Sequence, residues 1–103
     1  MKRIIAGKLY NTDTAEKIVA KTNGESSSSF TYYSETLYKT PNGNFFKHIE
    51  GGAKTPIAER IEGTLYNAER ISLVSEDEAR YFAELNNLDI ETYEKFFGKV
   101  EEA

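Results

Sequence analysis

The sequence predicts an α+β fold: a small antiparallel sheet built on a central β-hairpin, with one short N-terminal helix and two C-terminal helices. Three observations carry this expectation. Residues 30–50 concentrate Phe30, Tyr32, Tyr33, Tyr38, Phe45 and Phe46 around a Pro41-Asn42-Gly43 turn, a strand–turn–strand composition. Ser75 and Glu78 stand at capping-box spacing ahead of Ala79, Phe82 and Ala83, which marks a helix start. Asp89 then opens a segment in which Tyr93, Phe96, Phe97 and Val100 supply the apolar side, and Gly98 marks its end.

From the N-terminus, Lys2–Ala6 reads as a short strand, Gly7-Lys8 as a turn and Leu9-Tyr10 as a second extended piece. Asp13 with Glu16 three residues on is a capping-box spacing, and Ala15, Ile18 and Val19 fall at i, i+3, i+4. Together they predict a helix from Asp13 to about Lys21, stopped by Asn23-Gly24. Ser26–Ser29 is a solvated loop. The hairpin arms follow, the first over residues 30–39, and Gly51-Gly52 ends the second. Thr55 as N-cap and Pro56 at the first helical position predict one or two turns over Ile57–Glu62, closed by Gly63; Ile57 and Ile61 are compatible with a strand as well. Residues 64–68 are a loop or short extended piece, and Glu69–Val74 alternates as the last strand.

The chain of 103 residues is the size of one domain, 1–103, and large enough to fold on its own core. It has no cysteine, and the apolar run at its N-terminus, Ile4–Ala6, is too short for a signal-peptide core or a membrane span. A cytoplasmic protein is expected, without membrane association. The net charge of −4 is unevenly placed. Residues 1–68 carry nine Lys/Arg against seven Asp/Glu, a net +2, and residues 69–103 carry four against ten, a net −6. The sequence pI of about 5.0 and the scattering of the lysines argue against direct nucleic-acid binding.

Chemistry is sparse. One histidine and no cysteine exclude thiolate nucleophiles and the common zinc sites. Were Lys39 paired with Asn44, Glu35 would face His48 across the hairpin. Glu35, His48 and Glu50 are therefore the one set around which a small hydrolase or nuclease could be built. Gly51-Gly52 lacks the fingerprint of a phosphate loop. No catalytic residue, cofactor or metal is expected. The residues singled out for partner binding are the tyrosines Tyr32, Tyr33 and Tyr38, which suit a half-wet interface, and the carboxylates Glu76, Asp77, Glu84, Glu91 and Glu94 of the acidic end.

Several segments resemble a family of short proteins of phages and integrative elements of Firmicutes. The matching pieces are Gly7–Thr12 with Thr14-Ala15, Glu35–Thr40, Gly43–Phe46, Gly51-Gly52, Ile71–Ser75 with Glu78-Ala79, and Tyr93–Glu102. The chain departs from that family at Tyr81-Phe82, where a tryptophan is frequent, and over 55–68, where the family is richer in glycine. The resemblance, through the company of anti-CRISPR proteins on such elements, implies an inhibitor of a host defence protein. Its concrete form is an anti-CRISPR acting on an RNA-guided nuclease in the bacterial host's cytoplasm, by steric block or acidic nucleic-acid mimicry. A self-assembling regulatory module is the remaining alternative to the enzyme.

Overall fold

A computed structural model describes all 103 residues. The chain is α+β, with three antiparallel sheets and two helices. Strands β1 (Lys2–Ile5) and β2 (Lys8–Asn11) form an N-terminal hairpin. Strands β3 (Glu16–Thr22), β4 (Tyr33–Lys39), β5 (Phe45–Gly51) and β8 (Ala68–Val74) make a four-stranded sheet in the order β3-β4-β5-β8. A second hairpin, β6 (Glu59–Ile61) and β7 (Thr64–Tyr66), stands between β5 and β8 in sequence, and helices α1 (Glu76–Leu85) and α2 (Ile90–Phe97) follow. Neither helix is long and apolar enough to cross a membrane.

Alternation along β4 and β5 sends side chains to two covered faces. Leu37 and Phe45 join Ile18, Ala79, Phe82, Ala83, Phe96 and Phe97 in a core between sheet and helices. Tyr38 and Phe46 face the other way, where Tyr10 of the N-terminal hairpin and Ile71 close a smaller core. The Phe46 ring stacks on Tyr38 at 5.2 Å and meets Tyr10 edge-on at 5.6 Å. Two aromatic-rich faces on one hairpin thus have a simple cause: the sheet is clad on both sides.

The helical layer is fixed to the sheet by polar contacts as well as by its apolar stripe. Lys39 Nζ donates to the Phe96 carbonyl and Arg80 to that of Phe97, so cations satisfy acceptors at the C-terminus of α2. Ser75 and Glu78 form the full capping box of α1, and the Asp89 carboxylate accepts from the Thr92 amide to cap α2. These bonds to backbone and side-chain donors hold the Glu78 and Asp89 carboxyls below the ordinary carboxylate range.

The structure corrects the sequence reading at four places. The predicted helix over 13–21 is a strand, leaving two helices rather than three. Lys17 pairs with Tyr38 and Val19 with Leu37, which makes Ile18 the extra residue of a β-bulge. The bulge lets Ile18 and Val19 pack on the same core, while Ala15 packs against the opposite one. The apparent helical stripe is therefore split between the two faces of a sheet. Asp13 is no N-cap; its amide donates to Asn11 Oδ1 in a local turn, and Asn11 O accepts from Thr14 and Ala15.

The predicted turns of helix at 57–62 are instead a bend followed by the β6–β7 hairpin. Glu62 and Gly63 both have positive φ, +49° and +83°, as the two-residue type I′ loop between Ile61 and Thr64 requires. Ala6-Gly7 closes β1–β2 in the same way. In the central hairpin Lys39 pairs with Phe45, one residue off the register that would oppose Glu35 to His48. Thr40 closes this turn, its carbonyl accepting from Gly43 and its Oγ1 from the Asn44 amide. Finally, the first hairpin arm expected over 30–39 begins only at Tyr33, which leaves Phe30 and Tyr32 outside the strand, whereas α2 closes on Gly98 as expected, with Val100 half exposed beyond it.

The radius of gyration, 15.1 Å, exceeds the roughly 13 Å of a compact chain of this length, and the extents are 52 × 33 × 20 Å. The β6–β7 hairpin accounts for part of this: all six of its strand residues are exposed, Ile61, Leu65 and Tyr66 included.

Candidate functional site

The tyrosines singled out in the sequence do not form one surface. Tyr33 begins β4 on the side of Glu35 and Leu37, half-buried; burial first, then the Glu35 carboxylate, pushes its hydroxyl pKa up. Tyr38 lies on the opposite side, stacked on Phe46, its pKa raised by burial and then by Glu50 and Asp13. Tyr32 precedes the strand and lines a cleft described below.

The five carboxylates, by contrast, all belong to the helical layer. Ala79, Phe82 and Ala83 turn one side of α1 to the sheet, which leaves Asp77 and Glu84 on the outer side. Phe96 and Phe97 do the same for α2 and leave Glu91 outside. Intramolecular partners occupy three of the five. Glu76 takes a two-nitrogen contact from Arg80 at 3.0–3.1 Å, Glu84 accepts from the Tyr93 hydroxyl at 2.8 Å, and Glu94 accepts from the Val100 amide. The Tyr93 hydroxyl is pulled up in pKa by burial and by its bond to Glu84. The Asp77 and Glu91 carboxylates make no hydrogen bond or ion pair within the chain.

Three exposed apolar residues of the helical layer were not singled out in the sequence as interface candidates: Tyr81 and Leu85 on α1, and Ile90 at the start of α2. Tyr81 is 64 % exposed, Leu85 61 % and Ile90 71 %. Tyr81 and Leu85 are neighbours at i, i+4, outside the buried stripe. That spacing was readable in the sequence as a second stripe on the same helix, and it is the signal that would have found them.

His48 lies on the Phe46 face. Its Nδ1 is 3.6 Å from Glu50 and its Nε2 3.3 Å from Glu69, a residue of β8 opposite Glu50. Glu35 sits on the other face of the sheet, bound to Lys47 at 3.1 Å, whose ammonium also lies 4.0 Å over the Phe82 ring. The structure therefore does not bring Glu35, His48 and Glu50 together. Both imidazole nitrogens face carboxylates, and no three His, Asp or Glu side chains are grouped to hold a metal ion.

No family model, curated protein or solved structure matches this chain.

A cleft of about 520 Å³ opens between the serine loop and the β6–β7 hairpin, with Ser28, Phe30, Tyr32, Tyr66 and Glu69 among its lining residues. Gly52 shapes it. A Cβ there would stand 2.5 Å from the carbonyl oxygens of both Ser29 and Phe30, so the loop's backbone sits where any side chain would be. The Gly52 amide donates to Tyr32 O, and Lys54 N to Phe30 O, which pins the loop in that position. Gly52→Ala is expected to destabilise the protein by about 1–3 kcal/mol, because fixed backbone rather than a flexible side chain must move. Urea denaturation measures this; wild-type stability in the variant would show that the loop yields freely.

Proposed function

We propose that this chain is a protein-binding inhibitor carried by a mobile element, most concretely an anti-CRISPR that blocks an RNA-guided nuclease in the host cytoplasm. The observation that carries the reading is the helical layer, where Glu76, Asp77, Glu84, Glu91 and Glu94 are gathered on two helices of a chain whose last third is −6. In this reading the β4–β5 hairpin is the scaffold on which the layer is mounted. The carboxylates meet an Arg/Lys-lined groove of the partner that otherwise holds nucleic-acid phosphate, and the body of the protein blocks access to it. Electrostatic complementarity speeds association and selects a basic partner, and it makes binding weaken as salt rises.

The test is a cleavage assay with a purified RNA-guided nuclease, alongside direct binding. Wild-type protein is expected to bind and inhibit. The variant Asp77→Lys/Glu84→Lys/Glu91→Lys is expected to lose affinity by roughly 10- to 100-fold, with a flatter salt dependence. Unchanged binding and inhibition in that variant would remove the acidic-mimicry mechanism, and failure to bind any such nuclease would remove the inhibitor reading. Light scattering addresses self-assembly, for which a concentration-dependent dimer is the signature.

A further inference from the structure

We infer that the outer side of α1, with the first residue of α2, docks a basic amphipathic helix of the protein partner rather than a groove lined by Arg and Lys alone. The inference rests on the protein-binding reading above and puts a basic helix in place of the groove as what the carboxylates meet. Tyr81, Leu85 and Ile90 are all more than 60 % exposed, and the first two are i, i+4 neighbours on one helix side. Single exposed apolar residues are ordinary on a protein surface. Here two lie together on the outer side of α1, and a third, Ile90, follows five residues after Leu85 as the first residue of α2.

Their surroundings define the partner. Asp77 lies one helical turn before Tyr81, Glu84 adjoins Leu85, and Glu91 adjoins Ile90. Two of these three carboxylates have no partner in the chain, and the nearby cations are engaged elsewhere: Arg80 with Glu76 and the Phe97 carbonyl, Lys95 with Glu16. The last turn of α1 holds no basic residue. The result is an exposed apolar pair on α1, with Ile90 following, that has carboxylates as its neighbours along the chain. A groove made only of Arg and Lys would desolvate its charges against Tyr81, Leu85 and Ile90, at a cost. A second copy of this chain would set carboxylates against carboxylates. A helix with an apolar stripe flanked by Lys or Arg satisfies the apolar residues and the carboxylates together, which is the helix-docking mode of recognition.

The experiment uses the full chain and two fluorescein-labelled peptides of identical Leu/Lys composition, one ordered as an amphipathic helix and one scrambled to have no apolar face. Anisotropy is expected to show the amphipathic peptide binding about tenfold or more tightly than the scrambled one. Tyr81→Ser/Leu85→Ser is expected to lose roughly tenfold of that affinity, as interface anchors do, while its thermal unfolding stays near wild type because both residues are exposed. Amide shift changes on titration should centre on residues 77–91. Equal affinity for the two peptides, no effect of the double variant, or shifts centred elsewhere would each overturn the inference, as would a dimer abolished by Leu85→Ser, which would make a second copy the occupant. The two readings fail separately. Nuclease inhibition absent while peptide docking persists removes the inhibitor, whereas inhibition that survives the double variant removes this docking mode alone.

Discussion

Phe46→Ala is expected to cost about 3–5 kcal/mol of folding stability, the range for truncating a buried aromatic. Phe46 has no exposed surface. It is held between Tyr38, nearly parallel at 10°, and Tyr10, at 78°, and it shares its core with Ile71. This core is small, with three buried members against eight on the other face, so little else is available to collapse into the space. Tyr10 is also the buried side chain that β1–β2 contributes to this core. Loss of the ring should therefore loosen the N-terminal hairpin first, and hydrogen exchange in Lys2–Asn11 should rise more than in the helices. Against a total of about 5–15 kcal/mol for domains in general, the variant should stand near the edge of folding. Urea denaturation measures the cost; a loss under about 1 kcal/mol would mean that Tyr38 and Tyr10 close on each other without the ring.

Leu37→Ala should cost about 2–5 kcal/mol, on the opposite face. Leu37 has no exposed surface, and its core neighbours are the strand residues Ile18 and Phe45 and the helix residues Ala79, Phe82, Ala83, Phe96 and Phe97. The cavity would open directly beneath both helices. Exchange should accelerate in α1 and α2 while the N-terminal hairpin keeps its protection, the reverse of the Phe46→Ala pattern. If the acidic layer carries binding, as proposed, the same protein should also lose affinity for its partner, because that layer is carried on those helices. Since Leu37 and Phe46 belong to separate cores on opposite faces, their effects should add in a double variant, provided that it folds. A large coupling energy between them would show that the two cores act as one.

The parts of this fold that were legible in the sequence are those whose causes lie within a few residues. The capping box at Ser75 and Glu78 and the Ala79, Phe82, Ala83 stripe define α1 without outside help, as Asp89 and the phenylalanines define most of α2. The strand composition of the two hairpin arms and the Pro41-Asn42-Gly43 turn were equally local, although the first arm, expected from Phe30, begins only at Tyr33. The helix expected at 13–21 failed because a bulge places two successive residues on one face, and a bulge exists only with respect to a partner strand. The His48 pairing failed by a single residue of register, since an odd shift moves a side chain to the other face.

What the sequence by itself determined, then, is the class of fold, the two C-terminal helices and their acidity, because capping, helical periodicity and charge are properties of neighbours along the chain. Tertiary structure alone decided that both faces of the sheet are covered, that Glu69 rather than Glu35 meets His48, and that Gly52 must lack a side chain. It also decided which aromatic residues meet solvent: Tyr38 is stacked on Phe46, whereas Tyr81 is largely exposed. A tyrosine's composition is the same in both places, and only the element that packs across from it determines whether its ring is core or surface.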